Sequence, residues 1–286
     1  MAHSITHSPL RIGVITDIHW TLETLETLEN DPAAAAITAA ELRASVAFWQ
    51  RNHVDVVLQL GDIITGNEQH KQDELRQAVT LLQQFSGTIR HVLGNHCLAL
   101  PRKELMRALG LAAPYYTFAI SGFRFIVLDG MDVSALRTPA APEDREALAR
   151  FLATPELYDY CGAIGIEQKQ WLQHELKNAE HLNEHVIILC HFPLLPETTD
   201  KKYSLLWNHR EIVTMFSASA AVKACISGHF HYGGYARQNG IHFVVLPAFV
   251  NRHQHPSFHY GIIELFPDRL VLRNQQNAMV HNLAFG

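Results

Sequence analysis

Five times along this chain an apolar, strand-like run stops and a side chain able to bind a metal follows at once. The run Arg11 to Thr16 leads to Asp17 and His19, and Val56 to Gly61 leads to Asp62. His91 to Gly94 leads to Asn95 and His96, Val186 to Cys190 leads to His191, and Ala224 to Gly228 leads to His229 and His231. In an open α/β sheet the crevice beyond the carboxyl ends of the strands is where ligands bind, so the five loops are expected to converge on one edge. A single Gly-Asp or isolated His at a strand end more often caps a turn. Five repetitions that select only Asp, Asn and His, three of them preceded by Gly, point to a shared site.

The rest of the chain supports a layered α/β architecture. Leu10 to Thr16, Val54 to Leu60 and Ile89 to Leu93 read as strands, while Pro32 to Asn52 and Asp73 to Phe85 carry helical period. Strands separated by helices of this length imply crossovers and parallel neighbours. Tyr115 to Ile120 and Phe123 to Asp129, joined by Ser121 and Gly122, read as a hairpin, which makes the sheet mixed. Pro142 to Leu152 and Gly165 to His181 are helical by period, and the irregular stretch between them reads as an insert around 137–165, a lid or an addition. Five later strands, His185 to Cys190, Val222 to Ser227, His242 to Leu246, His259 to Phe266 and Arg269 to Arg273, bring the total to roughly ten. That is enough for two packed sheets, an α/β sandwich. The 286 residues fit one domain with one main core, because sheet-based architectures reach this size without splitting.

Composition narrows the partners. A net charge of −5 and a pI near 6.4 do not provide the clustered positive charge on which binding to a nucleic-acid polymer rests. Cys97, Cys161, Cys190 and Cys225 show no paired spacing, so a reducing compartment fits better than a disulfide framework. Residues 1–13 have no positively charged start followed by a signal-length apolar stretch, and no apolar run is long enough to span a membrane. The expected location is the cytoplasm, with no membrane partner. Oligomeric state is left open.

The ligand types constrain the ion. Carboxylate, amide oxygen and imidazole without thiolate suit manganese, iron, zinc or cobalt and argue against a cysteine-rich structural zinc site. Asp17, His19, Asp62, Asn95, His191, His229 and His231 exceed the needs of one tetrahedral ion. Two divalent ions about 3.5–4 Å apart, sharing a carboxylate, can activate water and neutralise charge on phosphate oxygens.

The ordered set Asp-x-His, Gly-Asp, Gly-Asn-His, His and Gly-His-x-His, spanning residues 17 to 231, resembles the calcineurin-like metallophosphoesterase superfamily. The resemblance implies a four-layer α/β/β/α sandwich of two mixed sheets, with the dimetal site at the strand C-terminal edge. It implies that Asp17, His19, Asp62 and His231 hold one ion while Asp62, Asn95, His191 and His229 hold the other. It also implies that His96 is the non-ligand histidine that stabilises the phosphoryl group or protonates the leaving oxygen.

Segments between the motifs are similar to the manganese-dependent ADP-ribose/CDP-alcohol diphosphatases: Phe123 to Asp129, Met131 to Leu136, Gln168 to Leu172, Leu206 to Glu211 and Gly228 to Tyr235. This similarity implies manganese as the first choice of ion. It also implies a small nucleotide substrate, a nucleoside diphosphate joined to a ribose or alcohol and cleaved at its phosphoanhydride. A cyclic-nucleotide phosphodiesterase or a phosphomonoesterase would use an equivalent metal pair, and a non-catalytic scaffold would have shed ligands that are all present here. Trp207, Asn208, Arg210 and Tyr235 are the candidate substrate contacts, since Arg can fork onto a second phosphate and aromatic rings can stack on a base. Two positions depart from those relatives. They often carry Gln where His19 stands, and an acidic residue, which would orient His96, where Cys97 stands. Cys97 itself is read as a small hydrophobe rather than a redox sensor.

Overall fold

The computed structural model describes residues 8–22, 32–155, 157–199 and 204–286. The first seven residues, part of the stretch read for a leader, lie outside them.

The first sheet is built on three parallel strands, β1 (Leu10–Ile15), β2 (Val56–Gln59) and β3 (Thr88–His91). Helix α1 (Pro32–Arg51) makes the first crossover and α2 (Lys71–Leu82) the second. Beyond β1 the sheet turns antiparallel through β12 (Gly261–Phe266), β13 (Arg269–Asn274) and β14 (Met279–Ala284), giving the order β14-β13-β12-β1-β2-β3.

The second sheet has a parallel centre, β5 (Phe123–Val127), β8 (His185–Leu189), β9 (Val222–Ser227) and β11 (Ile241–Val245). Antiparallel edges are added by β4 (Tyr116–Ile120) and β10 (Gly234–Gln238). The expected hairpin is present, and its turn residues Ser121 and Gly122 both take positive φ, 53° and 82°. That is the twist a two-residue hairpin loop requires.

The central strands are buried on both faces, so their side chains alternate between two cores. Ile12, Val14, Val56 and Leu58 face Phe125, Val127, Ile187, Leu189 and Ile226 across the gap between the sheets. Ile15 and Val57 point the other way, onto Leu42, Val46 and Trp49 of α1 and Leu75 and Leu82 of α2. On the far side Ile126, Val186 and Ile188 pack against Leu172 and Leu176 of α5 (Ile166–His181) and Ile212 and Phe216 of α6 (His209–Ser217). Each fully buried side chain of this kind contributes about 1.5–3 kcal/mol. The layers therefore run helices, sheet, sheet, helices, as expected.

The expected count of roughly ten strands is too low. Among the described residues there are fourteen, including a two-stranded ribbon of β6 (Val133–Ser134) and β7 (Gly162–Ala163). The edge strands β10 and β14 escaped detection because both lie largely exposed, so neither shows an apolar alternation. Two helices, α3 (Arg102–Ala108) and α6, were also missed, being two turns or so each. The stretch around 137–165 carries α4 (Pro142–Leu152), started by Pro142 with Glu143 and Asp144 in its first turn, and then the ribbon strand β7. Among the described residues no helix is long and apolar enough to cross a membrane.

Candidate metal centre

All five ligand loops leave parallel strands at their carboxyl ends, three from the first sheet and two from the second. Main-chain hydrogen bonds lock them together: Asp17 N–H donates to the Gly61 carbonyl at 3.1 Å, His19 N–H to the Asp62 carbonyl at 3.0 Å, and Gly228 N–H to the His191 carbonyl at 2.9 Å. Asp17, His19, Asp62 and His229 all take positive φ, between 46° and 63°. L-residues avoid that region, and such conformations persist only where surrounding structure over-determines them, typically at functional sites. The glycines before the ligands have a steric reason. A Cβ on Gly61 (φ 104°) would run into the His191 ring, one on Gly94 into Asp62, and one on Gly228 into Thr16 and Asp17.

The side chains fall into overlapping groups. Asp17, His19 and His231 form one, Asp62, His191 and His229 another, and His19, Asp62 and His96 a third, with ligand atoms in each group within 4.8 Å of one another. Asp62 Oδ2 lies 3.7 Å from His19 Nε2 and 3.1 Å from His191 Nε2, so one oxygen borders both halves. Its other oxygen is taken by the His96 main-chain N–H at 2.9 Å. Asp17 is divided in the same way. Oδ2 accepts from the Thr16 hydroxyl and, at 3.0 Å, from His229 N–H, whereas Oδ1 faces His19 Nε2 at 3.7 Å and His231 Nε2 at 3.5 Å.

These atoms converge largely without hydrogen-bonding one another, with His191 Nε2 and Asp62 Oδ2 in an ion pair at 3.1 Å. Asp17 Oδ1, His19 Nε2, Asn95 Oδ1 and His191 Nε2 are buried and have no hydrogen-bond partner, although a buried polar group without one costs about 1–3 kcal/mol. Donors held about 2.0–2.2 Å from a common ion stand roughly 3–3.6 Å apart, close to the spacings seen here. The donor set therefore fits divalent cations, with Asp62 placed to be shared between two.

Charge tells the same story. Burial pushes Asp17 up, but the charges of His191 and His19 outweigh it and hold the carboxyl well below its usual range. Asp62 is likewise held at about 2 against burial, chiefly by His191. Burial would lower His191, yet Asp62 and Asp17 raise it to about 9. Two buried carboxylates thus demand positive charge, and a proton on His191 supplies part of it; cations compete with that proton. His229, lowered to about 3 by burial and by His191, stays neutral with a lone pair to offer.

Main-chain carbonyls orient the rings. His191 Nδ1 donates to the Leu60 carbonyl at 2.8 Å, which leaves Nε2 for an ion. His96 Nδ1 lies 2.9 Å from the Thr65 carbonyl, and its ring meets His19 edge-on at 4.6 Å.

The calcineurin-like phosphoesterase family matches residues 10–233. The chain belongs to that family. Among its curated relatives are manganese-dependent ADP-ribose/CDP-alcohol diphosphatases from Arabidopsis thaliana, 29% identical over 94% of this chain and 95% of the relative, and from Oryza sativa subsp. japonica, 29% identical over 94% and 92%. A dimetal phosphatase from Danio rerio has the same fold, with a TM-score of 0.83 at 24% identity over 98% of this chain and 100% of that one. This calcineurin-like phosphoesterase is a metal-dependent hydrolase of phosphate esters or anhydrides, and two divalent metal ions are its cofactors.

The candidate substrate residues are placed differently from the candidate metal ligands. Trp207 is only 7% exposed, packs on Phe151, and its indole N–H donates to the Tyr158 carbonyl at 3.2 Å. The Asn208 amide exchanges hydrogen bonds with the Ile164 main chain and also donates to Glu211, so its polar atoms are engaged in joining α6 to the loop before α5. Tyr235 meets His242 Nδ1 at 3.0 Å and packs on His281, where β11 and β14 approach each other. The structure brings none of these three together with the metal ligands. Arg210 is exposed in the first turn of α6, on a cavity of about 480 Å³ shared with Leu195, Glu197 and Thr214.

Cys97 lies buried, its sulfur accepting the Ile63 N–H at 3.2 Å, and burial pushes its thiol up to about 12. It is a small core residue here. The carbonyls of Leu60 and Thr65, which orient the two rings, were not foreseen, because a backbone oxygen leaves no trace in residue type. Nor was the approach of Tyr160 to His229, with ring centroids 5.8 Å apart.

Proposed function

We propose that this phosphoesterase hydrolyses the phosphoanhydride of a nucleoside diphosphate joined to ribose or a small alcohol, ADP-ribose and CDP-alcohols being the type substrates. The products are a nucleoside monophosphate and a phosphorylated sugar or alcohol. The observation that carries this reading is the pair of donor groups joined through Asp62 Oδ2, in a chain that aligns nearly end to end with the diphosphatases. Asp17, His19, Asp62 and His231 would hold one ion, and Asp62, Asn95, His191 and His229 the other, with manganese the favoured metal.

When bound, the ions supply an activated water and neutralise charge on the phosphate oxygens. The chain's own groups do the rest. Asp62 keeps the two halves in fixed relation, and Leu60 and Thr65 fix two rings by their carbonyls. Because His96 gives Nδ1–H to Thr65, Nε2 is the atom left to hold a proton against the phosphoryl group or the leaving oxygen. The four cysteines are buried thiols, which suits work in a reducing compartment such as the cytoplasm.

The test is to strip the protein of metal, reload it separately with Mn, Fe, Zn, Co or Mg, and assay ADP-ribose, CDP-choline, cyclic nucleotides and phosphomonoesters. Manganese-supported release of AMP and CMP is expected, with Asp62→Ala and Asn95→Ala inactive. Turnover of cyclic nucleotides with ADP-ribose and CDP-choline left untouched would overturn the reading.

A further inference from the structure

Two large aromatic side chains stand exposed beside a buried, charged centre. Tyr158 and Tyr160 are 45% and 41% exposed, and their rings stack with centroids 5.1 Å apart and planes 12° from parallel. Tyr160 continues toward the candidate ligand cluster, its ring 5.8 Å from that of His229. A row of rings thus leads from a metal ligand out to the surface.

The segment carrying them has neither helix nor strand, yet it is held at several points. Tyr158's carbonyl accepts the buried Trp207 indole N–H at 3.2 Å and the Cys161 N–H at 3.1 Å. Trp207's main-chain N–H donates to the Gly162 carbonyl at 2.8 Å, and Cys161 Sγ lies 3.9 Å from His229 Nε2. Exposing two tyrosine rings forgoes apolar burial, so a stacked, exposed pair on an anchored main chain beside a phosphoryl site fits a flat ligand better than a packing role.

We infer that the exposed surface of the Tyr158–Tyr160 pair receives the nucleobase of the substrate, and that Trp207 acts beneath it as a positioning residue. This rests on the proposed nucleotide substrate and adds where its base lies. Stacking tolerates any base, since every base has a π-face, which accounts for adenine and cytosine substrates being accepted by one site. A ring on the platform contributes to binding and not to the chemical step, so its loss appears in affinity and in KM rather than in kcat.

The experiment titrates manganese-loaded protein with AMP and, separately, with inorganic phosphate by calorimetry, and measures kcat and KM for ADP-ribose, CDP-choline and the base-free substrate bis(p-nitrophenyl) phosphate. For Tyr160→Ala the Kd of AMP and the KM of both nucleotides should rise about tenfold, the loss of one stacked ring. The Kd of phosphate, the KM of the base-free substrate, kcat and metal content should hold, and Tyr160→Phe should restore the nucleotide values. Unchanged AMP affinity in both Tyr160→Ala and Tyr158→Ala, or an equal loss for AMP and phosphate, would overturn the inference. Wild-type protein that binds AMP through the pair yet leaves ADP-ribose and CDP-choline uncleaved would sink the hydrolysis reading and leave the platform standing.

Discussion

The imidazole Nδ1 of His96 lies 2.9 Å from the main-chain carbonyl oxygen of Thr65. A carbonyl can only accept, so Nδ1 carries the proton and Nε2 faces outward. The next residue, Cys97, is buried, and its sulfur accepts the Ile63 amide N–H. Thr65 is itself held, its hydroxyl donating to the His19 carbonyl at 3.0 Å, while Glu74 accepts the N–H of the adjoining Gly66 at 3.2 Å.

His96→Ala should therefore lower kcat by about 10²–10⁴-fold, the usual contribution of a positioned proton donor, with little change in bound metal. The loss should be larger for an alkyl phosphodiester, which expels an alkoxide, than for p-nitrophenyl esters, whose leaving group needs no proton. Steady-state kinetics on both, with metal content measured in parallel, checks this. An equal loss on both substrates would rule out protonation of the leaving oxygen.

His19 Nε2 is buried, unpartnered and 3.7 Å from a carboxylate oxygen of both Asp17 and Asp62. Replacing it by glutamine exchanges a nitrogen donor for a harder amide oxygen. His19→Gln should weaken zinc and iron loading more than manganese loading, since oxygen donors favour manganese. Competitive metal titration of wild type and variant gives the ratio directly.

Gly94→Ala should damage the centre without attacking any ligand, because its Cβ would collide with the Asp62 carboxylate and main chain. Metal affinity should fall at least tenfold. Gly122→Ala is the control. Its φ of +82° strains any side chain, but nothing lies within 4 Å, so it should cost about 1 kcal/mol of stability and no metal. Thermal melts and metal analysis of the two variants separate the effects.

His91, buried at the end of β3, is pushed down to about 4 by burial. In the unfolded chain it titrates near 6.5, so between those values the unfolded state binds more protons than the folded one. Stability from this residue is complete above about pH 6.5, is lost as pH falls toward 4, and changes no further below. The loss is on the order of 3 kcal/mol. Denaturant unfolding at pH 7 and pH 4.5 should show it, and His91→Gln should flatten the difference.

The helix and strand alternation of the central sheets was legible because Val56 to Gln59 and His185 to Leu189 are apolar runs bounded by turns, and because α1 and α5 keep helical period over sixteen or more residues. Short α3 and the exposed edges β10 and β14 have no such pattern to read. The candidate metal ligands were nameable for a different reason: a single Asp, Asn or His at a strand end is commonplace, but the same arrangement repeats five times along the chain. Trp207 and Asn208 were assigned to the substrate on residue type alone, which cannot distinguish a ring or amide facing a ligand from one turned into the protein.

By itself, then, the sequence determined which side chains could bind metal, that they follow strands, and that the strands alternate with helices. Chain order and side-chain chemistry carry that much. Only the tertiary structure decided that Asp62 Oδ2 borders both donor groups, that carbonyls of Leu60 and Thr65 set the histidine tautomers, and that Tyr160 reaches His229 from a loop nearly seventy positions away. Those relations depend on how two sheets pack and on backbone atoms common to every residue, and neither is encoded in local pattern.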